Sequence, residues 1–330
     1  MEVCGTHTHE IFRLGIRKLL PEQVELISGP GCPVCVTQVG FIDEAIYLAL
    51  ERQVTICTFG DLVRVPGTNM SLAGARERGA KIRIVYSPVD AKEYAKEHPK
   101  EQVTFLSVGF ETTTPSACLS VKKAREEGLT NYSILTANKT MPQAYEALKE
   151  SADIFLYPGH VNAITGTKLC EELAKEGVSG VVAGFTAKEL LTALAVALAR
   201  FQEGRPFFVN CYPRVVTENG SPQAQKLVEE MMEPCDSEWR GLGVIKGSGM
   251  RLQEEWSAFD ARKKYKIPLI QGKANPACRC GDVLQGKCKP SDCKVFGKVC
   301  TPQHPVGACM VSGEGACSAY YMYGEAEKMK

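Results

Sequence analysis

Short, uninterrupted apolar runs recur through the first two thirds of the chain, separated by stretches with helical periodicity. They lie at 24–28 (VELIS), 54–58 (VTICT), 82–86 (IRIVY), 103–108 (VTFLSV), 132–136 (YSILT), 153–157 (DIFLY) and 180–183 (GVVA). Runs without polar alternation suit strands buried on both faces, which means parallel sheets covered by helices. Between them, Val39, Ile42, Ile46 and Ala49 are spaced by three, four and three, and Leu190, Leu191, Leu194 and Leu198 by one, three and four. Each set makes one apolar helix face, of the kind that packs into a core. The polar segment 92–100 (KEYAKEHPK) predicts a seam between a first α/β lobe, 1–98, and a second, 99–205. After Arg205-Pro206 the alternation weakens, and from about Pro268 the chain becomes rich in Gly, Pro and Cys. The third region, 206–330, therefore has a segment able to fold around a metal rather than around apolar side chains. The expected fold class is α/β, with two lobes of mostly parallel sheets and a Cys-rich C-terminal domain.

Charge narrows the partners. With 39 basic and 38 acidic side chains the net charge is +1, which leaves no basic footprint for nucleic acid and no polybasic membrane anchor. The first twenty residues lack the order of a secretion signal, and no later stretch approaches about 20 uninterrupted apolar residues. A cytoplasmic location is expected. There, the fifteen cysteines point to ligation, redox pairs or catalysis rather than to a framework of structural disulfides. Seven of them crowd into 278–317 as C-x-C-x7-C-x4-C-x6-C-x8-C-x7-C. Soft metals require such converging thiolates.

Three loops that follow predicted strands carry unusual chemistry, at the sheet end where open α/β folds bind ligands. In the first, GPGCPVC (29–35), Cys32 is placed to cap a helix whose first residue is Pro33. The helix start would lower the pKa of an exposed thiol there, and Cys35, one turn on, could close a disulfide with it. The second, GFETTTP (109–115), offers hydroxyls and free N–H groups that suit an anion, a nucleotide phosphate or a small polar ligand, or serve only as a decorated helix cap. The third, YPGHV (157–161), puts His160 at a strand end, where a lone imidazole is more often structural than a ligand. No G-x-x-x-x-G-K-[ST] loop is present. At the N-terminus, Cys4, His7 and His9 fall within six residues around Gly5, a set that binds borderline metals such as iron and zinc. Cys57, Cys118, Cys170, Cys211 and Cys235 are scattered singly and read as small buried hydrophobes.

These motifs together resemble the hydrogenase maturation factor HypD family over nearly the whole chain. The resemblance is carried by EVCGTHTH (2–9), ISGPGCPVCVT (27–37), TFGDLVRVPG (58–67), GFETTTP, PGHV (158–161), CRCGDVL (278–284) and CTPQHPVGACMVSGEGACSAYY (300–321). It implies that Cys278, Cys293, Cys300 and Cys317, spaced C-x14-C-x6-C-x16-C, hold a [4Fe-4S] cluster, which makes the third region an iron-sulfur domain. It also implies that Cys280 and Cys309 can join as a disulfide; Cys288 matches no position of the family. By the same resemblance Cys4 is the scaffold ligand of a transient iron, and Cys32 and Cys35 are a redox pair between that iron and the cluster. His7, His9, Glu111, Thr112 and His160 would line the cleft between the lobes.

The function so implied is a redox-active assembly scaffold rather than a classical turnover enzyme. With the chaperone HypC it would build the Fe(CN)2CO unit of [NiFe]-hydrogenase, taking cyanide from HypE, charged by HypF, for the hydrogenase large subunit. Two other functions stay open on the residues alone. One is an iron-sulfur-linked thiol-disulfide oxidoreductase acting on a protein substrate; the other is a zinc-stabilised interaction module. Members of the family usually carry a helical stretch before EVCGTHTH, so a start shortened relative to the family is expected here.

Overall fold

A computed structural model describes residues 1–324. The apolar runs become parallel strands: β1 (Thr55–Thr58), β2 (Ile82–Ile84), β3 (Val103–Ser107) and β4 (Tyr132–Thr136) form one sheet in the order β2-β1-β3-β4, with β2 a largely exposed edge. Every residue of β1, β3 and β4 is buried, and each large aliphatic side chain so placed contributes roughly 1.5–3 kcal/mol. Polar residues inside the sheet answer one another. Thr104 stands opposite Ser133, with their hydroxyls 2.8 Å apart. A second parallel sheet contains β5 (Phe155–Pro158), β6 (Gly180–Ala183) and β7 (Phe208–Asn210) in that order. The helix Val39–Glu51 packs under the first sheet as expected; Ala187–Phe201 packs under the second through Leu190, Ala193, Leu194 and Ala197, while Leu191, expected on that face, is exposed and Leu198 half-buried. An α/β fold of two mostly parallel, helix-covered sheets results.

The break between the sheets lies after β4. Segment 92–100 falls largely within the helix Pro88–Glu97, and β1 and β3, on either side of residue 98, are neighbours with Ile56 opposite Thr104. Hydrogen-bonded pairing across that point outweighs the polar composition that suggested a seam. Segment 24–28 also differs from expectation: it is extended but joins the structure by a single bridge at Ser28. There the N-terminus takes the edge. Glu2 bridges both Ser28 and Leu156 of β5, and its buried carboxylate is paired with Arg17 at 2.6 Å.

Beyond β7 stand an antiparallel hairpin, β8 (Met232–Trp239) and β9 (Gly243–Leu252), and a C-terminal region with few regular elements. Burial in β8 alternates along the strand, with only Met232 and Trp239 at its ends fully enclosed. In the C-terminal region Cys280, Cys300, Cys309 and Cys317 pack with Leu284 and Met310 into the same core as Val3, Cys32, Cys35 and Tyr157. Among the described residues, no helix is long and apolar enough to cross a membrane.

Candidate metal and thiol site

Pairing of residues 1–3 with β5 carries Cys4 to the carboxyl end of the second sheet, where it caps the helix Gly5–Arg13. Gly31 lies so close that a Cβ there would run into the backbone of Cys4, and Gly5 N–H donates to Gly31 O at 2.9 Å. Only glycine allows that approach. It sets Cys4 against the loop that bears Cys32 and Cys35. The Cys4 thiol is buried, and burial pushes its pKa up to about 12, although the backbone N–H groups of His7 and Thr6 favour the thiolate. A cation must displace a proton to bind there.

Cys32 caps the helix Pro33–Val36 as expected, its sulfur accepting from Cys35 N–H at 3.2 Å. The two cysteines are joined in a disulfide with Cα atoms 5.2 Å apart, inside the usual ~4.4–6.8 Å range. The expected exposed thiol is instead enclosed, with Cys32 3% and Cys35 0% exposed. Apolar contacts from Val3, Tyr157 and Trp239 close over this core.

Of the five residues expected in the cleft, the structure brings two together, His7 and His160, and buries a third, Glu111, apart from them in a contact with Met141. His7 is fully buried, its Nε2 3.0 Å from Gly184 O and its Nδ1 without a partner, and burial holds its pKa down at about 4. The ring of Phe185 lies 4.8 Å from that of His7 and 3.8 Å from that of the exposed His160, so the aromatic ring links the two imidazoles. Glu111 accepts from Met141 N–H at 2.8 Å through Oε1, while its buried Oε2 has no partner. His9 turns away to Gly313 O, 3.1 Å, and Tyr323, and Thr112 is exposed. The remaining hydroxyls of that loop serve the helix start: Thr113 and Thr114 donate to Phe110 O, and Ser116 donates to Thr113 O.

Burial raises the Glu111 pKa to about 7, because the carboxylate loses water and gains only backbone donors. The folded protein thus keeps a proton that the unfolded chain releases near pH 4.3, so this group's contribution to stability falls as pH rises through about 7. Glu111→Gln should remove that dependence. Melting measured from pH 5 to 8.5 should show the variant gaining on the parent between pH 5 and about 7 and keeping a constant lead above that, a difference worth up to roughly 3 kcal/mol; parallel curves would refute it.

Two residues that the sequence reading did not single out complete this region. Tyr145 is buried with an unpartnered hydroxyl, packs 4.8 Å from Tyr157, and lies within electrostatic reach of Glu111 and Cys4. Glu314 accepts from Thr6 Oγ1 at 2.8 Å and its charge is felt by Cys4 and His160. Only the position of Glu314 inside VSGEGAC could have marked it; Tyr145 sits in an ordinary helical pattern.

Cys278, Cys280, Cys293, Cys300, Cys309 and Cys317 line one enclosed pocket with Val283, Phe296 and Met310. Cys278, Cys280, Cys309 and Cys317 lie close enough for neighbouring thiols to perturb one another's titration, and Cys309 N–H donates to the Cys280 sulfur at 3.4 Å. Cys280 and Cys309 are thus adjacent but free, not joined as the family resemblance implied. Gly307 leaves room where a Cβ would strike the Cys278 sulfur. Cys288 lies outside, in a groove with Lys287 and Lys289. Among the described residues no three His, Cys, Asp or Glu side chains converge as a ready single-ion site. A four-iron cluster needs a different arrangement, one thiolate to each iron, and a buried pocket walled by six thiols offers the donor set for it. Of the single cysteines, Cys57, Cys118 and Cys170 are buried as expected, while Cys211 and Cys235 are half-buried.

Comparison with known proteins gives the class. "Hydrogenase maturation factor HypD" of Cupriavidus necator is 43% identical over 98% of this chain and 89% of its own length. The Rhodobacter capsulatus protein of that name is 44% identical over 99% and 89%, and the Escherichia coli one 43% over 99% and 89%. The protein is a hydrogenase maturation factor. A sequence model of HypD, described as "Hydrogenase formation hypA family", matches residues 1–324, and the chain belongs to the HypD family.

Proposed function

We propose that this maturation factor is a redox-active scaffold which, with the small chaperone HypC, holds an iron atom at Cys4 while the Fe(CN)2CO unit is assembled on it. Cyanide would come from HypE, charged by HypF, and the finished unit would pass to the hydrogenase large subunit. The observation that carries this reading is the contact of Cys4 with the Cys32–Cys35 loop in a core continuous with the six-cysteine pocket. Soft thiolate suits iron bearing strong-field ligands. Within electrostatic reach of Cys4, the buried, unpartnered Tyr145 hydroxyl supplies a donor for diatomic ligands, and the same hydroxyl is within such reach of the Glu111 carboxyl, protonated below about pH 7.

Cys278, Cys293, Cys300 and Cys317 would hold a [4Fe-4S] cluster, which when bound supplies electrons one at a time. Cys32 and Cys35 store an electron pair. Their S–S bond opens on uptake of two electrons and two protons and re-forms on their release. Burial of both sulfurs argues against the alternative of thiol exchange with a protein substrate, since attack on a disulfide needs access.

The test is anaerobic co-purification with HypC followed by infrared spectroscopy. A brown complex with ~4 cluster irons and bands of bound cyanide and carbon monoxide is expected. A colourless, zinc-loaded protein without those bands would overturn the proposal.

A further inference from the structure

The turn at 239–242, between β8 and β9, joins the two thiol sites. On one side Thr37, at the end of the Cys32–Cys35 helix, bridges Trp239; Arg240 N–H donates to Val36 O at 2.8 Å and Arg240 Nε to Thr37 O at 3.0 Å. On the other side Gly241 (φ +82°) rests on Gly281 of the helix Cys280–Leu284, with no room for a Cβ, and accepts from Gln285 Nε2 at 2.6 Å. The turn is anchored from behind. Trp239 stacks on Phe110 with ring centres 5.9 Å apart, and buried Lys139 donates to Ser237 Oγ at 2.6 Å and to Glu238 O at 2.7 Å. Nη2 of Arg240 is buried without a partner. An arginine does not shed its proton, so an unpaired guanidinium N–H calls for negative charge nearby. Because Gly241 abuts Gly281, the residue after Cys280, Arg240 stands one residue from a contact with the wall of the cysteine pocket.

We propose that Arg240 is a positioning residue with two tasks: it ties the Cys32–Cys35 helix to the cysteine pocket, and it is the fixed cation that offsets negative charge gathered there. The proposal rests on the cluster reading above. One electron entering the pocket adds one negative charge in a medium of low dielectric, and a fixed guanidinium favours that reduced state.

The experiment is a dithionite titration of the anaerobically purified full chain, followed by electron paramagnetic resonance, for the parent, Arg240→Gln and Arg240→Lys. Arg240→Gln should make the reduced cluster about tenfold less favoured, ~59 mV more negative for one electron. Arg240→Lys keeps the charge and should keep the potential. Having lost the Nε contact to Thr37, it should open the Cys32–Cys35 disulfide at least tenfold more slowly when dithionite is the electron source, read by alkylation and mass spectrometry. The Lys variant carries this test if the Gln variant does not load. A loaded Arg240→Gln protein with the parental potential, or an Arg240→Lys protein with the parental opening rate, would overturn the inference and leave the proposed function standing. A parent chain that takes up no cluster would remove both.

Discussion

Cys4→Ala is expected to bring hydrogenase maturation down to background in a complementation assay and to erase the infrared bands of bound cyanide and carbon monoxide, while the protein still folds and keeps its cluster. Two effects of very different size are involved. Removing one buried sulfur from a helix cap costs on the order of 1 kcal/mol, and the cap makes no side-chain hydrogen bond to lose. Melting should therefore fall by only a few degrees. If Cys4 holds the iron as proposed, its loss removes the one thiolate assigned to that iron, and neither His7, whose Nε2 meets Gly184 O, nor His9, which faces Gly313, is a soft ligand to replace it. Cys4→Ser should fare no better, since a hydroxyl is a poor soft-metal ligand. Maturation sustained by Cys4→Ala would show that the iron is held elsewhere.

Cys300→Ala should lose most of its iron and the visible absorption of the cluster, and its C-terminal region should become open to proteolysis. In small domains, metal–thiolate coordination contributes on the order of 10 kcal/mol, far beyond the roughly 1–3 kcal/mol expected from the packing of one lost thiol. Regular structure in this region is sparse. Between the helices Cys280–Leu284 and Ala316–Tyr323 only short 3-10 turns occur, at Pro290–Asp292 and Ala308–Met310. Cys288→Ala is the control, because Cys288 lines a separate groove; it should retain iron and protease resistance. Equal loss in both variants would show that the pocket does not select its ligands as assigned.

Much of this architecture was legible because burial on both faces of a parallel strand demands continuous apolar runs. Strands at 132–136 and 180–183 appear with the predicted limits, and Cys32 caps its helix where the Cys-Pro pair placed it. The hairpin was not legible for the converse reason. MEPCDSEW buries only its two ends and alternates between half-buried and exposed positions, and its stability comes from partners far along the chain, Thr37, Phe110 and Lys139.

The sequence by itself determined which residues are candidates for the chemistry, since thiols, imidazoles and glycine-framed loops are local facts, and it determined the kind of fold, since hydrophobic periodicity is local too. Only the tertiary structure decided which of them meet. It turned His9 and Thr112 away from the cleft, brought Tyr145 and Glu314 toward Cys4, and wedged Arg240 between the two thiol sites. Contacts between residues a hundred or more positions apart are set by how helices and sheets pack, and no single segment contains that information.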